Sequence, residues 1–468
     1  MNLPETNVMS NCSNFTKGFS SPMSLIIQNA SYVVCDSTRI KRDCDLLVEG
    51  QRIAAVGSGL TASAEATVLD GRGCVVVPGL INAHTHLYQN FLKGISPGIP
   101  LVPWCNEILF PAVGAINAAR KAGNLRVGYL WSAAAALEMI HAGTTCCLNM
   151  DTVTDETVTA WEDAGFRGIM AYTLSNKWVP AELRSAEEEM RRKTMAFVAR
   201  HHHPDGLTTV FLAPSTLFLC DDPFLKWAGE QARANNLGMQ IHISETAGEV
   251  EDSLKEYGLR PVEKLEQLGL LEPRLSAVHC CHLTDKEIDM IARSGATVVH
   301  CPKSNMKLAD GIMRAVDMKK AGIPISLGND GCASNDLLDM WEEMRAAVML
   351  ARVSCQDANA LTPADAFRMA TADAARTCRV DAGVIEPGKL ADITIIELKS
   401  AHLRPFHGDD PLNMLVFCAC ANDVRDTIIN GKVVMRDRKV ITLDEPAILN
   451  EADAVEAPLY TGRSDYKF

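Results

Sequence analysis

Between residues 78 and 330, short apolar runs alternate with stretches of helical periodicity, and this alternation constrains the fold more than any other feature of the chain. A continuous apolar run of four to eight residues suits a strand buried on both faces, and an intervening helical stretch supplies the crossover that a parallel neighbour needs. The first run, Cys74-Val75-Val76-Val77, leads through Pro78-Gly79-Leu80 toward His84 and His86. Further runs fall at 143–149, 166–172, 207–214, 239–243, 275–279, 296–300 and 323–328. Helical stretches precede most of them, at 124–141, 185–200, 223–235, near Leu268, 285–294 and 312–320, and two more follow at 337–353 and 363–378. Eight such units predict an α/β fold, a (β/α)8 TIM barrel.

The flanks read differently. Residues 24–77 show short alternating runs with turn residues between them, and 386–445 return to that pattern around the hairpin dipeptide Asn430-Gly431. A small composite β-sandwich built from both chain ends is expected. The predicted organisation is a flexible extension over 1–23, sandwich segments over 24–77 and 386–445, the barrel over 78–385, and a tail over 446–468.

Working residues of such barrels sit at the carboxyl ends of the strands. His84 and His86 end the first run at i and i+2, so both imidazoles face one point. His242 ends the fifth run with Glu245 three residues on, His279 ends the sixth, and Asp330 follows the eighth. Imidazoles and a carboxylate suit Zn²⁺, with Fe²⁺ as the alternative, and a bound water completes the shell. The fourth run, 207–214, offers no lysine to bridge two ions, which favours one metal per subunit. Glu245 is placed to take a proton from that water and return it to a substrate. His279 reads as a fifth ligand or as a polarising group, and the second is favoured because three histidines, an aspartate and water already fill the set. Asp330 can also help to move the water's proton. Glu249 and Glu251 read as solvated surface, His201-His202-His203 as a loop, and His141 as a cation at a helix end. His282 and His300 fit either the pocket or the core.

Composition narrows the function classes. A net charge of −13 lacks the basic footprint that nucleic-acid binding requires. No apolar run approaches a membrane span, and residues 1–22 lack the charged start and apolar stretch of a secretory leader. The 16 cysteines form no C-x-x-C framework, so free thiols, a reducing compartment and a cytoplasmic location are expected.

The segments 78–89 (PGLINAHTHLYQ), 242–246 (HISET), 277–283 (AVHCCHL), 300–311 (HCPKSNMKLADG), 327–336 (LGNDGCASND) and 388–397 (GKLADITIIE) resemble those of the amidohydrolase superfamily. The chain is most similar to the branch that holds guanine deaminase, S-adenosylhomocysteine deaminase and atrazine chlorohydrolase. The resemblance implies one metal held by His84, His86, His242 and Asp330, proton transfer by Glu245 and polarisation by His279. It implies attack of hydroxide on a carbon of a nitrogen-rich aromatic ring, protonation of the adjacent ring nitrogen and release of ammonia. Adenosine-type members carry a glutamate where this chain has Val113, and a histidine where Ser215 and Thr216 follow Pro214. These departures favour a small heteroaromatic substrate such as oxidised guanine, guanine, a pterin or a triazine. The alternatives are deamination of S-adenosylhomocysteine or methylthioadenosine, and triazine dechlorination or N-dealkylation. A non-catalytic scaffold is disfavoured because the ligand set is complete. Gln89, Trp104, Ser304, Asn305 and Ser334 are candidate substrate contacts, Asn329 stands where the family usually has threonine, and a homo-oligomer, by default a dimer, is expected.

Overall fold

The computed structural model describes residues 24–95, 98–181 and 183–461, with side chains described as far as Val455. The expected extension over 1–23 lies outside these residues. Among them, eight parallel strand positions form a ring: Leu80–His86, Thr144–Asp151, Arg167–Leu174, Thr208–Pro214, Gly238–Ile243, Leu275–His279, Thr297–His300, and an eighth in two pieces. Ile325–Leu327 pairs with the seventh strand, and Asp330–Gly331 pairs with the first. The break in the eighth strand therefore closes the barrel.

Period-two alternation sorts the strand residues between interior and jacket. Leu148, Ile169, Phe211 and Val278 fill the barrel, whereas Cys147, Met170, Leu212 and Ala277 pack outward with Trp161 and Trp341. Cys146 and Cys147 fall on opposite sides by the same rule, and every cysteine among the described residues is a free thiol.

The run that leads to His84 is two strands rather than one. Cys74–Pro78 belongs to a second, nine-stranded mixed sheet made from both chain ends, where it pairs with Ser24–Val34 and Ile393–Glu397. It is apolar throughout because it is buried on both faces: Cys74 and Val76 pack in that sheet's own core, Val75 and Val77 against the barrel. Gly79 makes the crossing, since a Cβ there would lie 2.1 Å from Thr145 Oγ1. Two other expectations change. The stretch 363–378 is two helices, Pro363–Met369 and Ala372–Cys378, parted at Thr371, whose φ of −130° and ψ of −91° leave the helical region. The expected tail contains the helix Glu445–Thr461, whose Ile448 and Ala452, four residues apart, bury one face in a cluster with Val127 and Leu130 of helix Arg126–His141. No helix among the described residues is long and apolar enough to cross a membrane.

A buried ion pair joins the two sheets. Arg167, opening the third barrel strand, donates from Nε to Asp392 Oδ2 at 2.7 Å and from Nη2 to Asn430 Oδ1 at 2.9 Å. Asp392 Oδ1 also accepts from the backbone N–H of Asn430 at 2.7 Å, so the Asn-Gly turn is gathered into the joint. Removing one partner leaves the other charge buried and unpaired. Arg167→Met is expected to lower unfolding stability by about 3–5 kcal/mol, with Arg167→Met/Asp392→Leu recovering part of it, measured by denaturant titration.

Candidate active site

Strand register sets the centre. Thr85 pairs with Asp330 and His86 with Gly331, so the Asp330 carboxylate rises between His84 and His86. Its Oδ1 is 3.3 Å from Nε2 of each. His242 reaches across the barrel, with its Nε2 3.1 Å from that of His84. Gly328 lets the eighth strand position lie close against His84, since a Cβ there would lie 2.8 Å from His84 Cβ. The ends of three strands turn through left-handed backbone: Ser244, His279 and Asp330 have φ of 51°, 71° and 61°. For non-glycine residues such conformations are costly and gather at functional sites.

The rear of each ring shows what the front is for. His84 Nδ1 donates to Gln240 Oε1 at 2.8 Å. That amide's orientation is fixed, because its Nε2 donates to Ala83 O. His86 Nδ1 donates to Met150 O at 2.6 Å and His242 Nδ1 to Ser215 O at 2.8 Å. With its proton at the rear, each neutral ring directs a bare Nε2 lone pair at the same point, beside a carboxylate. Burial pushes the His84 imidazole down to about 4 and the His242 imidazole well below its usual value, whereas at His86 the hydrogen bond to Asp330 outweighs burial and raises the imidazole. A cation at this point is shared by all of the donors at once. One ligand atom each from His84, His242, His279 and Asp330 lies within 4.8 Å of the others, with His86 3.3 Å from Asp330. Nitrogen and oxygen donors in that number fit a divalent ion such as zinc.

Around this centre the buried Glu245 carboxylate lies 3.6 Å from His279 Nε2. Burial, with Asp330 and Glu249 beside it, raises the Glu245 carboxyl well above the usual range. Glu249, expected on the surface, is buried: it accepts from the backbone N–H groups of Ser244 (3.0 Å) and Glu245 (2.7 Å), fixing the turn that aims Glu245 inward. Thr246-x-x-Glu249 is a helix-start signature that announced the position but not the burial. Glu251 is exposed. His300 is buried, and His282 binds Asp310 O. His141 pairs with Glu445 at 2.9 Å.

The candidate substrate contacts divide. Gln89, Trp104 and Ser334 line a cavity of about 860 Å³ that opens from His86, His242, Glu245, His279 and Asp330. Ser304 and Asn305 do not line it. Ser304 Oγ donates to Asp330 Oδ2 at 2.6 Å, as Ser334 Oγ does at 3.0 Å, and Asn305 Oδ1 accepts from His279 Nδ1 at 2.8 Å. Asp330 Oδ2 is thus occupied, leaving Oδ1 to face the histidines. Asn329 exchanges hydrogen bonds with Asn82, side chain to side chain at 2.8 Å and backbone N–H to Oδ1 at 3.0 Å. Gln240 went unread in the sequence, although its place two residues before His242 puts it on the same side of the strand. A second cluster, His402, Cys420 and Asp423, caps a surface turn in which Asp423 accepts from His402 and from the backbone N–H of Cys420.

Residues 75–434 match the model of the Amidohydrolase family. The chain is 36% identical over 428 residues, 91% of its length and 97% of the relative's, to a 5'-deoxyadenosine deaminase from Methanothermobacter thermautotrophicus. It is 36% identical over 414 residues, 88% of its length and 94% of the relative's, to a 5-methylthioadenosine/S-adenosylhomocysteine deaminase from Thermococcus sibiricus. Among solved structures, a zinc-bound adenosine deaminase from Xanthomonas campestris superposes with a TM-score of 0.87 at 30% identity, covering 94% of this chain and 99% of that one. The chain belongs to the amidohydrolase family and is a hydrolase of C–N bonds in cyclic amidines.

Proposed function

We propose that this protein removes the ring amino group of an adenosine-type nucleoside by hydrolysis, giving the oxo product and ammonia. The cavity carries this reading. At about 860 Å³ it lies toward the upper end of sites for drug-sized ligands, and a bare heteroaromatic ring would leave most of it empty. The deoxyadenosine and methylthioadenosine deaminases among its relatives point the same way. The free-base substrate expected from Val113 and Ser215 has less support. Val113 lines the cavity beside Leu109 and Phe110, an apolar wall suited to a nucleoside whose 5′ substituent is apolar. Ser215 is used at its backbone oxygen, which orients His242.

His84, His86, His242 and Asp330 would hold the metal, zinc by donor type, and when bound it lowers the pKa of a coordinated water toward neutrality. Glu245 accepts the proton of the attacking water and delivers it to the ring nitrogen beside the reacting carbon. Its raised affinity for a proton suits a group that must take one up and give it back at neutral pH. His279 Nε2 points into the same space, where an N–H at that nitrogen would polarise the bond that gathers negative charge, and Asn305 holds the ring in that orientation. Asp330 stays anionic under two hydroxyl donors and keeps the histidines' front nitrogens together.

Ammonia release is the test of substrate. With the zinc-loaded protein, 5′-deoxyadenosine, methylthioadenosine and S-adenosylhomocysteine are expected to give kcat/KM at least about tenfold above guanine, oxidised guanine, pterin and triazine, a difference of about 1.4 kcal/mol. Turnover confined to the free bases overturns the reading. Glu245→Gln is expected to lower kcat by about 10²–10⁴ with metal content unchanged. His242→Ala is expected to lose both metal, measured by elemental analysis, and activity.

A further inference from the structure

We propose that His402, Cys420 and Asp423 form a second divalent-cation site, suited to zinc, that clips together two turns at neighbouring strand ends of the mixed sheet. The site is independent of the reaction proposed above, and none of the three residues lines the cavity.

The side chains come from two short turns, Ala401–Leu403 and Cys420 with Ala421–Asp423. The first turn follows strand Ile393–Glu397, and the second leads into Val424–Ile429, its antiparallel neighbour. Cys420 and Asp423 are three residues apart across a 3₁₀ turn, a spacing that puts both on one side. One ligand atom from each of the three residues lies within 4.8 Å of the others. His402 Nε2 is 2.7 Å from Asp423 Oδ2, and Cys420 Sγ is 3.4 Å from that oxygen and 3.9 Å from that nitrogen. Ligands at zinc's usual bond lengths and tetrahedral angles stand about 3.3–3.6 Å apart. The His402 contact has to lengthen by about 0.6 Å, and its half-exposed ring has room to turn.

The direction of the contacts separates a cation site from an activated nucleophile. In a Cys-His-Asp triad the thiol and the carboxylate meet opposite ring nitrogens, so the imidazole relays a proton between them. Here both meet Nε2, and the ring has nothing to relay. Imidazole, thiol and carboxylate instead face one point, and that mixture of nitrogen, sulfur and oxygen donors suits zinc.

The carboxylate supplies a second reason. The Asp423 side chain is 1% exposed, and among the described residues its one ion-pair partner is His402. Arg438 spends its guanidinium on the carbonyls of Ala421, at 2.6 Å, and Val424, at 2.8 Å. Ser400 Oγ donates to Asp423 Oδ1 at 2.7 Å and the Cys420 N–H to Oδ2 at 3.0 Å, which fixes the carboxylate's direction. A buried carboxylate so oriented gains from a cation that it ligates directly. Binding expels the thiol proton to solvent and leaves the imidazole proton on Nδ1, and water from the open side is the fourth ligand.

The test uses the full chain, stripped of metal with a chelator and reloaded with Co²⁺. The catalytic centre offers nitrogen and oxygen donors alone, so a sulfur-to-cobalt charge-transfer band in the near ultraviolet reports the second site. The wild type is expected to bind two ions per chain by elemental analysis and to show the band. Cys420→Ser is expected to lose the band, and His402→Gln to bind one of the two ions at least about tenfold more weakly. His242→Ala, which removes a donor of the catalytic centre, is expected to keep the band. Cys355→Ser and Cys418→Ser, at the other described thiols that are not buried, are expected to keep it as well. One ion per chain without a sulfur band, a band that survives Cys420→Ser or follows Cys355 or Cys418 instead, or an unchanged affinity in His402→Gln overturns the proposal.

Discussion

Three imidazole lone pairs and a carboxylate oxygen are brought to one point, and much of the barrel's polar interior exists to keep them there. Each ring is held from behind by an acceptor that fixes its proton: Gln240 for His84, the Met150 carbonyl for His86, the Ser215 carbonyl for His242. These acceptors come from the second, fourth and fifth strand ends, so the orientation of one donor depends on the placement of its neighbours in the ring. A cation bound at that point would be held by all of these donors together, and its binding would add to the stability of the fold.

Ring closure and site construction are the same event. The eighth strand breaks after Leu327; its first piece completes pairing with the seventh strand, and its second pairs with the first strand in the register that carries Asp330 between His84 and His86. Asn329 occupies the break and is locked to Asn82 by two hydrogen bonds. Amide groups at both positions satisfy each other in a place where buried polar atoms must be paired. The bond from Asn82 needs an acceptor oxygen at position 329, and the bond back comes from the Asn329 backbone N–H.

The mixed sheet contributes stability at the opposite end. Its face of Val75, Val77, Ile396, Val424 and Ile429 packs into the barrel's outer core, and Arg167, Asp392 and Asn430 join the two where the barrel strands begin. The cavity opens from the other ends of the strands, so the rigid joint and the reacting groups are separated by the length of the barrel.

What the sequence determined by itself was periodic and local. Apolar runs of strand length alternating with helical stretches specify a closed parallel sheet, and donors placed at the ends of those runs lie on one face because strands in such a barrel all point the same way. The i, i+2 spacing of His84 and His86 needs no tertiary information. Other features came only with the fold. Cys74–Pro78 reads as one strand with Leu80–His86 because burial on both faces looks the same in either sheet. Glu249 reads as surface because nothing local shows that two backbone N–H groups await its carboxylate. Ser304 and Asn305 read as substrate contacts because their nearness to the site was legible, whereas their direction, toward Asp330 and His279, depends on how the segment after the seventh strand folds back. Sequence patterns carry burial and periodicity. The direction of a polar side chain on an irregular segment is set by partners distant in the chain, and only the tertiary structure supplies them.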